Sequence, residues 1–366
     1  MPSASQSGRR RALDDAFALA RAQVEAGTVP FVVLGVAGAD GTTCLEAASG
    51  EHGPRIGTDA VCLLASITKP IVATGAMQLV EAGWISLDDT LGAWAPDLLN
   101  PRWAPITPWH VLTHTTGIDD IDLEAVLRHG EGRADLLRHV SKQGQVSAPG
   151  TRYHYSSFTF DLLTEALERA LGRPFEDHLQ RGLLDPLGMT DTTFNPAPDP
   201  AKAARMAPIV VGGWDGPPRD EDQALMAAYT ALRLAGGGLW STASDLLRFG
   251  RAMLRGGELD GVRVLSPAFV ELMTREVTAP RGQTTGGLGS NPDPMVADHY
   301  AIGWGKPGVT SPASSAAFGH GGVSGTRLWI DPGYDLVYVY LSGSWGMPRT
   351  PIDQVENAIY ASLSKG

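Results

Sequence analysis

Residues 61–80 read Val-Cys-Leu-Leu-Ala-Ser-Ile-Thr-Lys-Pro-Ile-Val-Ala-Thr-Gly-Ala-Met-Gln-Leu-Val, and this stretch decides the fold. The apolar run Val61 to Ala65 predicts a strand. Pro70 is compatible with a helix only near its first turn, where the amides are unpaired anyway. Ser66 therefore stands at a helix start, where free N–H groups and the positive dipole end favour a developing oxyanion. A spacing of three puts Lys69 on the same face as Ser66. Ile71, Val72, Ala73, Met77, Leu79 and Val80 cover most sides of the helix, which predicts a central, buried element. Burial disfavours the charged form of a lysine, so Lys69 is placed to act as base toward Ser66. The pattern S-x-x-K alone carries little, because Ser362-Leu363-Ser364-Lys365 also matches it at the chain terminus. Context separates the two.

On the N-terminal side, residues 12–26 have the period of an amphipathic helix. Phe31 to Ala37 is a strand, Gly38 to Gly41 a turn, and a second strand starts at Thr42. Toward the C-terminus, helical periods separated by Pro and Gly run from about 70 to 190. The stretch 196–222 reads as a long loop, and a helix over about 243–255 follows Thr242 as its cap. Thr326 to Ile330, the turn Asp331-Pro332-Gly333, and Leu336 to Leu341 form a hairpin, and a helix over about 351–364 closes the chain. Strands at both ends with helices between predict an α/β (α+β) fold: one antiparallel sheet built from both termini. On this reading 12–75 and 235–366 form an α/β sandwich, and 76–234 is an inserted, mainly helical region.

The composition agrees. The chain has 366 residues, 43 % of them hydrophobic and 19 % charged, enough to bury a sizeable core. Its 44 glycines and 26 prolines stay below the roughly 25–30 % share that marks disorder. A net charge of −11 disfavours nucleic acid as a partner. Cys44 and Cys62 supply neither a disulfide framework nor a zinc set, and no metal or cofactor is expected. Arg9 to Arg11 are followed by Asp14 and Asp15 where a signal peptide needs apolar residues, and no stretch is long enough to span a membrane. A cytoplasmic location is expected, with no membrane partner.

Two further segments bear chemistry. Pro149 to Ser157 contains Tyr155, whose phenol can relay a proton, although a packed loop aromatic reads the same in sequence. Phe318-Gly319-His320-Gly321-Gly322-Val323-Ser324-Gly325 is a glycine-rich strand that lets a substrate approach the backbone. Gly303 to Gly308 fits G-x-G-x-x-G, but Pro307 and Pro312 prevent the helix a dinucleotide site requires. No G-x-S-x-G occurs, which argues against an α/β-hydrolase elbow.

In order and spacing these segments resemble the penicillin-binding protein and serine β-lactamase superfamily, above all its class C-like group with the family VIII esterases and related transacylases. Leu112 to Gly117, Asp185 to Met189 and Ala235 to Thr242 are similar to recurrent segments of that group. The resemblance implies Ser66 as the acylated nucleophile, Lys69 as its base and Tyr155 as general acid/base. It implies an oxyanion hole from the backbone N–H groups of Ser66 and Val323, and a site in the cleft between sandwich and insertion. His114 lies in a family segment without an implied catalytic role and is expected to be structural. Two departures stand out. Ser157 replaces the Asn of the second motif, and His320-Gly321-Gly322 replaces K-T-G. The groups that would hold the carboxylate and amide of a β-lactam are absent, which favours an ester substrate.

The expected function is a serine hydrolase that cleaves a small-molecule ester, or amide, through an acyl-enzyme. Tyr155, with His320, protonates the leaving group, and Ser157, Gly321, Gly322, Trp240 and Trp345 contact the substrate. An acyltransferase passing the acyl group to an alcohol or amine stands second. D-aminopeptidase, amidase or weak β-lactamase activity follows, and a noncatalytic ligand sensor is disfavoured by the intact Ser66, Lys69 and Tyr155. Residues 280–298 hold almost nothing apolar to pack and are expected to form a mobile cover.

Overall fold

The computed structural model describes residues 13–50, 55–98, 100–103, 105–211, 219–278, 299–308 and 310–363. The segment 280–298 and the terminal S-x-x-K match at Ser364 and Lys365 lie outside them. In chain order the elements that build the site are helix α1 (Asp14–Glu25), strands β1 (Phe31–Ala37), β2 (Thr43–Ser49) and β3 (Cys62–Leu63), and helices α2 (Thr68–Glu81), α3 (Thr159–Leu171) and α4 (Asp220–Ala231). They continue with β4 (Trp240–Ser241), α5 (Ala243–Leu254), β5 (Phe318–Gly322), β6 (Thr326–Asp331), β7 (Leu336–Leu341) and α6 (Thr350–Leu363).

One antiparallel sheet has the order β2-β1-β7-β6-β5, so its strands come from both chain ends, as the sequence predicts. Side chains alternate between its faces. Val33, Leu328, Val337 and Val339 enter the larger core with α2 and α5, whereas Val32, Leu34, Trp329, Tyr338 and Tyr340 join a second core with α1 and α6. Cys44 belongs to the second core and Cys62 to the first, and the two are not joined by a disulfide. Both faces are covered, which is why β1 and β7 read as unbroken apolar runs.

Three expectations need correction. The run Val61 to Ala65 is extended only over Cys62–Leu63, because Ala65 adopts φ 46° and breaks the strand before Ser66. Helix α2 runs unbroken from Thr68 to Glu81, so the border set at residue 75 falls inside a buried helix. The stretch 196–222 is not one loop. Asp199 caps a short helix, Pro200–Ala203, by accepting from the amides of Ala201 (2.9 Å) and Lys202 (3.3 Å), and α4 already starts at Asp220. By contrast, Gly303 to Gly308 opens no helix; Gly305 and Gly319 exchange backbone hydrogen bonds of 2.9 and 3.0 Å.

The segment before Ser66 is held from two sides. Leu64 N donates to Leu239 O (2.8 Å), and Leu239 N donates to Thr68 Oγ1 (3.1 Å). From the C-terminal sheet, Ser324 Oγ donates to Leu63 O (2.7 Å) and Thr326 Oγ1 to Leu64 O (3.0 Å). The approach is close enough that a Cβ on Gly322 would lie 2.3 Å from both Leu64 O and Thr326 Oγ1. Gly322→Ala must therefore push β5 away from Leu64. Urea denaturation should show a loss of about 1–3 kcal/mol, the usual cost of overpacking, and an unchanged midpoint would refute the close fit.

Candidate active site

Ser66 lies in a single 3₁₀ turn, Ala65–Ile67, that leads into α2. The first hydrogen bond of that turn runs from Ile67 N to Leu64 O (3.3 Å), so the Ser66 amide precedes the bonded ladder. The left-handed Ala65 immediately before it is strained backbone of the kind that clusters at functional sites. Pro70 is the third residue of α2, where its missing N–H breaks no intrahelical bond.

Lys69 is fully buried one turn on, and its Nζ donates to Ser66 Oγ (3.1 Å) and Gly236 O (2.7 Å). The Tyr155 hydroxyl donates to the same Ser66 oxygen at 2.9 Å from 89 residues along the chain. Lys69 Nζ also lies 4.8 Å from the centre of the Tyr155 ring. The Ser66 hydroxyl and both proton-transfer candidates are thus in direct contact. Val323, at the end of β5, borders the same cleft; its carbonyl accepts from Gly346 N (2.8 Å), and no hydrogen bond engages its amide among the described residues.

Tyr155 is held by groups that periodicity does not reveal. His114, fully buried with φ 53°, stacks on its ring at 4.2 Å and accepts from Ser156 N at 3.3 Å. Burial, then the Lys69 charge, push the His114 imidazole well below its usual range, so it is a neutral packing residue. Asp120 accepts from Ser157 N (2.8 Å) and Ser156 Oγ (3.1 Å) and so ties the turn after Tyr155 to the loop after His114. Burial raises the Asp120 carboxyl, while the hydrogen bonds from Ser157 pull it back. Asp161 on α3 and Tyr300 also went unrecognised in the sequence. Asp161 shares its helix with Glu165 and Glu168, so nothing in the sequence pattern singled it out.

The cleft at Ser66 encloses about 600 Å³, open to solvent. Tyr155, Ser157, His320, Gly321, Val323 and Trp345 line it, as expected from the sequence, and so do Leu123, Phe158, Tyr229 and Leu234. Trp345 packs edge-on to Tyr229, with ring centres 5.4 Å apart. Trp240 is not a cleft residue: it is buried in the main core on β4, opposite Leu63, behind the serine. Gly322 does not line the cleft either; its role is the close approach to Leu64.

His320 borders the cleft, but its placement contradicts a proton-donating role. Nδ1 faces Gly321 O (2.7 Å) and Nε2 faces the Tyr300 hydroxyl (3.0 Å), so Nδ1 carries the hydrogen and Nε2 accepts. Burial, then the Lys69 charge, lower its pKa from 6.5 to about 3. His320 is a neutral strut. Among the described residues no charged side chain lines the cleft, no His, Cys, Asp or Glu cluster is placed to hold a metal, and no helix is long and apolar enough to cross a membrane.

A beta-lactamase family model matches residues 17–361. Protein Rv1367c of Mycobacterium tuberculosis is 31% identical over 334 residues, 80% of this chain and 79% of its own length. Esterase EstB of Burkholderia gladioli is 27% identical over 85% of each chain. Among solved structures, EstCE1, described as a hydrolase with promiscuous acyltransferase activity, superposes with a TM-score of 0.78 at 22% identity, covering 98% of this chain and 100% of that one.

The depressed His320 pKa has a consequence for stability. Between pH 6.5 and about 3 the unfolded chain binds the proton that folded His320 refuses. Stability at this site therefore falls as pH drops through that window. His320→Gln should lose part of the fall in melting temperature between pH 6.5 and 4. Parallel profiles for variant and parent would show that His320 is not buried neutral.

Proposed function

From a chain that belongs to the beta-lactamase family, we propose a serine hydrolase that cleaves uncharged small-molecule esters through an acyl-enzyme. The observation that carries this reading is the Ser66 hydroxyl, contacted at 3.1 Å by Lys69 Nζ and at 2.9 Å by the Tyr155 hydroxyl. Lys69, with Tyr155 beside it, takes the Ser66 proton as Oγ attacks the ester carbonyl carbon. The resulting oxyanion is stabilised by the amides of Ser66 and Val323. Collapse expels the alkoxide, which Tyr155 protonates; water then attacks the acyl carbon and gives a proton to Lys69 and Tyr155, and that proton passes to Ser66 Oγ as the acyl–Oγ bond breaks. No step needs a metal or cofactor. Two buried cysteines without a disulfide between them support a cytoplasmic location.

The cleft supports a neutral acyl group. Leu123, Phe158, Leu234 and Trp345 offer apolar surface, and among the described residues no lining cation is available for a substrate carboxylate. Acyl transfer is the second reading, favoured by the aromatic wall of Tyr229 and Trp345, on which an organic acceptor can rest.

Ser66→Ala should abolish the acyl adduct seen by intact mass after an activated ester is added, and lower kcat at least about a thousandfold. Lys69→Ala and Tyr155→Phe should each cost nearly as much, and the double variant little more, because the groups act as a unit. Undiminished turnover by Ser66→Ala would end this assignment.

A butyrate aryl ester should show a far larger kcat/KM than any chromogenic cephalosporin; the reverse order would mean that the cleft anchors a carboxylate after all. Adding millimolar alcohol or amine to the same assay measures partitioning. A product dominated by transfer would make the protein an acyltransferase with the same three residues.

A further inference from the structure

The turn Arg233–Gly237 forms part of the cleft wall, and groups outside the catalytic trio fasten it at three points. Arg133 Nη1 donates to Arg233 O (3.1 Å), Asp161 Oδ1 accepts from Ala235 N (2.9 Å), and the Tyr229 hydroxyl donates to Gly237 O (3.0 Å). Arg133 also grips α3 itself, with Nη1 3.2 Å from Asp161 Oδ1 and Nη2 3.1 Å from Thr164 Oγ1. Between these fastenings the Gly236 carbonyl meets Lys69 Nζ at 2.7 Å. Gly236 passes so close to the Tyr155 turn that a Cβ there would sit 2.0 Å from Ser157 O.

Asp161 is completely buried, and its partner Arg133 is 28% exposed. A carboxylate in that position costs free energy unless it is paired, and Arg133 on the helix Arg133–Val140 provides the pair. A neutral acceptor would satisfy the Ala235 amide at lower cost. What the charged pair adds is a short, directional hold on the backbone. Asp161 follows Tyr155 by six residues, and α3 carries it just beyond the turn that presents the phenol. One helix thus sets the phenol directly and the amine through Gly236.

We propose that Asp161 and Arg133 are positioning residues for acylation: they lock the 233–237 turn so that the Gly236 carbonyl holds Lys69 Nζ against Ser66. This inference rests on the acyl-enzyme reading above. The pair touches neither substrate nor Ser66 and acts only through the turn.

The test is a double-variant cycle on the full chain with a butyrate aryl ester. Asp161→Asn keeps the side-chain shape and one acceptor oxygen but removes the charge that Arg133 grips. It should lower kcat by about 10- to 100-fold, the scale of a misplacement of about 1 Å, while KM stays within about twofold. In a Lys69→Ala background the same change should cost less than about twofold, because the group being positioned is gone. If Asp161→Asn does not fold, Arg133→Lys runs the same cycle: it keeps the charge, loses the planar fork, and should again lower kcat only while Lys69 is present. Native kcat in the folded variant, or an equal loss in both backgrounds, would overturn the proposal. Loss of Ser66 dependence would instead overturn the acyl-enzyme reading, so the two failures are distinguishable.

Discussion

The buried amine of Lys69 is the constraint on which the rest of the site depends. A wholly buried nitrogen of this kind must be met by acceptors or it destabilises the fold. The Ser66 hydroxyl from the preceding 3₁₀ turn and the Gly236 carbonyl from 167 residues away both meet it. Serving that one nitrogen fixes the relation between α2 and the 233–237 turn. The turn in turn abuts Ser157, and hence the segment that presents Tyr155.

The sheet meets this constraint from the other side. Because β5 and β6 come from the last fifty residues, the hydroxyls of Ser324 and Thr326 can reach the carbonyls of Leu63 and Leu64. Those carbonyls belong to the short stretch before Ala65, whose left-handed backbone leads into Ser66. Local strain at the nucleophile is thus over-determined by contacts from two distant parts of the chain. Val323 arrives at the cleft by the same route, one residue beyond β5.

Neutral side chains surround that amine. His114 and His320 are both held below their ordinary range by burial and by the nearby lysine charge. Each packs against Tyr155 or its neighbour Tyr300 instead of exchanging protons. The acidic groups, Asp120 and Asp161, are spent on backbone amides and not aimed at substrate. The cleft is therefore presented to its ligand by hydroxyls, backbone and aromatic surface.

Much of this was legible in the sequence. Ser66, Lys69 and Pro70 define a helix start by local rules, and unbroken apolar runs at 31–37 and 336–341 define buried strands. The glycines from 319 to 322 announce close backbone approach, whereas Tyr155 was singled out by the family resemblance and not by local rules. Nothing local distinguished Trp345, which borders the cleft, from Trp240, which lies behind it. Nor could periodicity show that His320 spends both nitrogens on Gly321 and Tyr300, or that Asp120 and Asp161 anchor the turns that carry Tyr155 and Gly236. Apart from that to the adjacent Gly321, these contacts span 20 to 74 residues, and only packing decides which side of a buried group faces the cleft. The sequence by itself determined the helix start that carries Ser66 and Lys69 and the sheet beside it. Tertiary structure alone decided which polar side chains do chemistry and which hold the backbone in place.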